Sequence, residues 1–158
     1  MNICEAPLTQ ASAFPGNLLR RCHQISVAIF LKQCQALGLT QLQYVILSAL
    51  EEKGTLEQSR IGGLTALDRN TTAVVVRKLE ERGLVTRRRN ERDRRSLLVS
   101  LTEEGRALRR QAEAGAAATQ EELTMPLSES ERAMLCTLLQ RIADKNNALS
   151  RVPLSQGV

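Results

Sequence analysis

Apolar residues recur at Leu18, Cys22, Ile25 and Ile29 and on to Cys34 and Leu37, a helical spacing that runs from Asn17 until Gly38 closes it. Leu19, Val27, Phe30 and Leu31 widen that stripe nearly all round, the mark of a helix buried on several sides. Thr40, with Gln43 three residues on, forms a capping-box pattern and opens a second helix, whose face is Leu42, Val45, Ile46, Ala49 and Leu50. Lys53-Gly54 ends it, Thr55-Leu56 suits a short strand, and Glu57–Leu64 suits a short helix weakened by Gly62-Gly63. After a turn at 66–69, Asn70 is expected as the N-cap of a further helix, stopped by Gly83. That helix is expected to bury Val74, Val75 or Val76, and Leu79, leaving Thr71, Thr72, Ala73, Arg77 and Lys78 outside. Three consecutive valines are poor helix formers, so packing must hold it.

Two β-like runs follow, Leu84–Arg89 and Ser96–Leu101, around a hydrophilic tip, Asn90–Arg95. Thr102 then caps an alanine-rich helix with Glu103 and Glu104 in its first turn, where the helix dipole favours acids. Met125-Pro126 breaks it, and Ser128 with Glu131 starts a last helix striped by Met134, Leu135, Leu138, Leu139 and Ile142. The expected fold is mainly α with a small β-hairpin wing (α+β). In it, a winged helix-turn-helix at 39–102 is flanked by dimerisation helices at 15–38 and 103–148, because those helices are too apolar on one side for a monomer's surface. Residues 1–14 and 149–158 are expected as a flexible arm and tail.

Charge sharpens this picture. The net charge is only +5, but Arg87, Arg88, Arg89, Arg92, Arg94 and Arg95 crowd one hairpin against two acids, Glu91 and Asp93. Like charges on paired strands repel, so a polyanion is the natural partner. With Phe14, Phe30 and Tyr44 the only aromatic residues, the chain lacks the ring platforms of single-strand or RNA readers, which leaves duplex DNA. The single histidine and the absence of clustered acids give no nucleophile–base pair or metal constellation, so neither an enzyme, nor a cofactor, nor a metal site is expected. The four cysteines (4, 22, 34, 136) show no zinc spacing, and Cys22 and Cys34 lie in apolar runs where a thiol acts as a small hydrophobe. No run approaches the ~20 apolar residues of a membrane span, so a cytoplasmic protein with reduced thiols is expected.

The run Leu67-Asp68, Thr71, Leu79-Glu80, Gly83-Leu84-Val85, then Arg92-Asp93-Arg94-Arg95, Leu101-Thr102 and Glu104-Gly105 resembles the MarR family of bacterial transcriptional regulators. The likeness covers residues 17 to 147. It implies a homodimer on a pseudo-palindromic operator and, in many members, control by a phenolic or aromatic carboxylate.

A recognition helix places its N-terminal residues at base edges, here Arg69, Asn70, Thr71 and Thr72. Arg69 suits guanine and Asn70 suits adenine unless the cap uses it. Arg77 and Lys78 are better placed for phosphate. On the wing, Arg87, Arg89, Arg94 and Arg95 are the candidate contacts. Asp93 is expected to orient Arg95 at the tip, and at least one of Arg87, Arg88 and Arg89 is expected to point away from DNA, because the run alternates faces on a strand. For the effector, Arg20, His23, Val27 and Phe30 on the first helix, with Tyr44 opposite, offer cationic donors beside an apolar wall. The stretch around His23 is similar to the first helix of members governing aromatic or N-heteroaromatic acid catabolism. Two other readings stay open: a repressor released by oxidation of Cys22, and a winged-helix interaction module that binds no DNA.

Overall fold

The computed structural model describes residues 11–150 and 153. A 3-10 turn, Ala11–Ala13, leads into α1 (Pro15–Gln33), followed by α2 (Gln41–Lys53), β1 (Leu56–Glu57), α3 (Gln58–Thr65) and α4 (Arg69–Glu81). Strands β2 (Val85–Arg89) and β3 (Leu97–Leu101) make the hairpin, and α5 (Glu103–Thr124) and α6 (Glu129–Lys145) complete the chain before a last 3-10 turn, Asn147–Leu149. Of the expected arm and tail, residues 1–10, 151, 152 and 154–158 lie outside the described residues. The described part of the arm includes the 3-10 turn Ala11–Ala13.

The three strands form one antiparallel sheet in the order β1-β3-β2. Val85 faces Leu101 and Arg89 faces Leu97, while the two-residue β1 sets Leu56 opposite Val99. Val85 and Val99 are buried, and they meet Ile46, Leu47, Leu50, Ile61, Val76 and Leu79 in one core. Burying side chains of this size stabilises by roughly 1.5–3 kcal/mol each, so that cluster holds α4 and the sheet to α2 despite the weak helicity of the valine run. The phase of α4 settles which valines pack: Val75 and Val76 are buried and Val74 is exposed.

Helix α1 is shorter than the periodicity suggests. It ends at Gln33, and Gln35–Leu37 tightens into a 3-10 turn before Gly38 takes the left-handed conformation (φ 55°). The break falls where α1 meets α5. A Cβ on Gly115 would stand 2.8 Å from Cys34 Sγ and 3.3 Å from the Gln33 carbonyl, so the two helices touch backbone to side chain. Gly105 is tighter still: its Cβ would fall 2.1 Å from the Leu84 carbonyl, which pins the start of α5 under the base of the wing. Both capping boxes form, at Thr40 and Gln43 and at Ser128 and Glu131.

Candidate nucleic-acid interface

Helices α3 and α4 form the helix-turn-helix. They approach closely because residue 62 has no side chain: a Cβ there would stand 2.8 Å from the Leu67 carbonyl. Ala66 adopts a left-handed conformation (φ 54°) and turns the chain into α4. The N-cap is Asp68, not Asn70. Asp68 Oδ1 accepts the amides of Asn70 and Thr71, each at 3.0 Å, and Oδ2 accepts the Thr71 hydroxyl at 2.7 Å. A full charge at the positive helix end with three bonds outweighs a neutral amide two residues later. The exposed Asn70 side chain is thereby released from capping.

Thr72 is not on the outer face. It is 1 % exposed, and its hydroxyl donates to the Asp68 carbonyl at 2.9 Å, locking the first turn against α3. It is therefore removed from the DNA contacts. Arg69, Asn70, Arg77 and Lys78 are exposed, Thr71 is half-buried, and Arg77 lies 3.9 Å from Glu81 one turn on.

In the wing, Arg87 turns inward. Its Nε donates to Glu80 Oε2 at 2.7 Å, with a second bond from the guanidinium to the same oxygen. Those bonds hold the Glu80 carboxyl below the usual carboxylate range. Arg87 thus welds wing to α4 and leaves the set of DNA contacts, and Arg88 and Arg89 stay exposed. The tip is an ordered turn: the Asn90 amide donates to the Ser96 carbonyl (3.0 Å), and Asn90 Oδ1 accepts the Arg92 amide (3.0 Å). Asp93 Oδ1 accepts the backbone amide of Arg95 at 3.0 Å, so Asp93 acts on the backbone of Arg95 rather than on its guanidinium. Asn90 Nδ2 ties the wing to β1 through Glu57 Oε1 (3.0 Å). Among the described residues, Arg69, Arg88, Arg89, Arg92, Arg94 and Arg95 form no ion pair.

Between the wing tip and the start of α4 lies a cleft of about 470 Å³, lined among others by Gln58, Gly62, Arg69, Asp93 and Arg95. Gln58 Oε1 is buried there without a hydrogen-bond partner among the described residues. Helix end, wing and cleft thus bring the Arg69 and Arg95 cations, some 26 residues apart in the chain, to one surface. The roles of Gln58, Glu80 and Asn90 were not legible in the sequence, because the groups that Glu80 and Asn90 bond, and the cleft that Gln58 lines, are built from other elements. The signal that could have found Asp68 is its carboxylate, a good cap by chemistry two residues before Asn70.

The candidate effector residues separate by depth. Arg20 and His23 are exposed on α1, Val27 is half-buried, and Ser26 accepts a hydrogen bond from Gln41 Nε2 (3.0 Å) that docks α1 on α2. Phe30 is 1 % exposed, its ring 5.6 Å from that of Tyr44, so it backs the half-buried Tyr44 and offers no open wall. The cysteines also divide. Cys34 is buried, which pushes its thiol up, while Cys22 is exposed rather than packed as the apolar run suggests. No described helix is long and apolar enough to cross a membrane.

A buried-core helix-turn-helix with a cationic hairpin beside its second helix defines a winged helix-turn-helix regulator of transcription. The MarR family model matches residues 39–97, the reading head itself. The chain is 36 % identical over 132 residues, 83 % of each protein, to the HTH-type transcriptional repressor NicR of Pseudomonas putida. It is 34 % identical to Bordetella bronchiseptica BpsR, whose DNA binding is regulated by 6-hydroxynicotinic acid; the match covers 84 % of this chain and 95 % of BpsR at a TM-score of 0.79. It is 32 % identical to the PcaV transcriptional regulator of Streptomyces coelicolor, solved with its natural ligand, over 88 % and 96 % of the two chains at a TM-score of 0.75. The chain belongs to the MarR family. It is a DNA-binding regulator of transcription and not an enzyme.

Proposed function

We propose that this protein is a cytoplasmic, homodimeric repressor that an aromatic or N-heteroaromatic carboxylate releases from a pseudo-palindromic operator. Its arrangement is a dimer of reading heads at 39–102 carried on helices at 15–38 and 103–148. The dimer is supported by α6, which buries none of its residues in the single chain and leaves Met134, Leu135, Leu138, Leu139 and Ile142 exposed. Leu18, Leu19, Ile25 and Leu31 on α1 are exposed as well. Apolar side chains left exposed along two helices in this way support an interface with a second copy.

DNA is read by Arg69, Asn70, Thr71, Arg77 and Lys78 on α4 and by Arg89, Arg94 and Arg95 on the wing, the tip turn being held by Asp93. The reading of the effector rests on Arg20, His23 and Val27, spaced to share the face of α1 on which Phe30 meets Tyr44 of α2, in a chain 34 % identical to a regulator controlled by 6-hydroxynicotinic acid. Arg20 and His23 take the carboxylate and Tyr44, backed by Phe30, takes the ring. Occupation of both sites in the dimer moves the recognition helices off the one-turn separation, about 34 Å, that successive major grooves require.

The test is fluorescence anisotropy of the protein's operator duplex against 6-hydroxynicotinic acid, benzoates and hydroxycinnamates, with hydrogen peroxide as the redox arm. Release by a carboxylate, lost in Arg20→Ala and His23→Ala while DNA affinity is kept, is the expected result. Release by peroxide alone, abolished in Cys22→Ser, would overturn it in favour of thiol sensing at the exposed Cys22.

A further inference from the structure

Val74 sits at the centre of the outward face of α4 and is 42 % exposed, whereas its chain neighbours Val75 and Val76 are 8 % and 0 % exposed. At about 100° per residue, Asn70, Thr71, Arg77 and Lys78 all project within roughly 60° of Val74, and Thr72, Val76 and Leu79 point to the opposite side. Asn70, Arg77 and Lys78 are exposed, as is Glu81 two turns on, 3.9 Å from Arg77, so an apolar branched side chain stands among polar and charged ones.

Stability does not account for a valine here. Valine is a poorer helix former than alanine, lysine or glutamine, and at 42 % exposure it gains little burial in return. Helix α4 packs on α2, α3 and β2 through its other face, which leaves this arc to whatever the helix reads. The floor of a DNA major groove offers hydrogen-bonding edges and a single kind of apolar group, the C5-methyl of thymine.

We propose that Val74 is a specificity-determining residue that packs against a thymine C5-methyl, once in each operator half-site. The contact rests on the reading of α4 as the recognition helix. Asn70, one turn earlier on the same arc and freed from capping by Asp68, lies beside it to bond an adenine. The half-site core is accordingly rich in A·T pairs, and the apolar contact discriminates thymine from cytosine at a position where no hydrogen bond from valine can.

The experiment uses the full chain and a duplex selected by it from a random library. Each thymine of the selected sequence is replaced by deoxyuridine, which deletes the methyl and nothing else. One symmetry-related pair is expected to respond, with affinity falling about fourfold for one half-site and about fifteenfold for both, the effect of exposing one buried methyl twice. Val74→Ala is expected to bind thymine and deoxyuridine duplexes equally, with an unchanged or raised melting temperature because the side chain is exposed. Indifference of the wild type to every deoxyuridine, or discrimination that persists in Val74→Ala, overturns the contact. Asn70→Ala and Arg77→Ala separate this from a failure of the underlying reading. If both bind the selected duplex as the wild type does, α4 is not the recognition helix; if they weaken while deoxyuridine has no effect, only the valine contact falls.

Discussion

The guanidinium of Arg82 donates to the Gly38 carbonyl at 2.9 Å, joining the end of α4 to the connector between α1 and α2. The same group reaches the Leu37 carbonyl and Gln43 Oε1, each at 3.4 Å, and Gln43 Oε1 in turn accepts the Thr40 amide of the α2 capping box at 3.0 Å. One planar cation thus gathers the C-terminal carbonyls of the 3-10 turn and the start of α2. Arg82→Ala is expected to destabilise by about 1 kcal/mol, and Arg82→Lys to recover little of it, because an ammonium cannot span three acceptors in one plane. Urea unfolding of the three proteins checks this; an unchanged midpoint for Arg82→Ala would show the tie contributes nothing.

Gly105 tests the seat of the wing. With a Cβ 2.1 Å from a backbone carbonyl, Gly105→Ala cannot be accommodated by a rotamer change, and either α5 or Leu84 must move. The expected loss is about 3 kcal/mol, the upper end of overpacking costs, seen as a lowered melting temperature. Gly38→Ala is the control: no atom crowds it, so only the left-handed backbone is strained and the loss is expected near 1 kcal/mol.

The Glu80–Arg87 pair has a pH signature. Because Arg87 lowers the folded-state pKa of Glu80 below its usual 4.5, the pair's contribution is fully present above that value and fades as pH falls through the depressed folded value. The stability gap between wild type and Glu80→Gln should therefore be constant from pH 7 to about 5.5 and shrink below pH 4.5. Urea midpoints over that range measure it. A gap that does not change with pH would mean the ion pair is not formed in solution.

Arg69, Thr72 and Arg95 should differ in how they affect DNA binding. Arg95→Ala is expected to weaken specific and random duplexes alike and to reduce the salt slope by about one. Arg69→Ala is expected to cost roughly 1–3 kcal/mol on the operator and relax one base position. Thr72→Val should leave the base preference unchanged and lower thermal stability, since its hydroxyl serves the Asp68 carbonyl. A changed base preference in Thr72→Val would return Thr72 to the DNA-contacting face.

Leu135→Asp combined with Leu139→Asp places charges in the proposed dimer interface, where unpaired burial is strongly unfavourable. Monomers by sedimentation, with operator affinity lost, are expected. A wild type that sediments as a monomer yet binds its operator specifically would refute the dimer.

What the sequence determined by itself was local. Capping boxes at Thr40 and Ser128, the stops at Gly83 and Met125-Pro126, and the helical and alternating periodicities are set by residues within a few positions of one another, so element order and the cationic wing were legible. Tertiary structure decided what depends on helix phase and distant partners. Asp68 and Asn70 are both good caps by chemistry, and Val74, Val75 and Val76 are chemically identical. Only the packing of α4 on Ile46, Ile61 and Val99 fixes which valines are buried, and with them which threonine faces out. Arg87 looks like any wing arginine until folding places Glu80 beside it, and Phe30 like a pocket wall until Tyr44 closes over it. Helix α1 likewise reads as unbroken to Leu37, because the glycine against which it ends, Gly115, lies some eighty residues further along the chain.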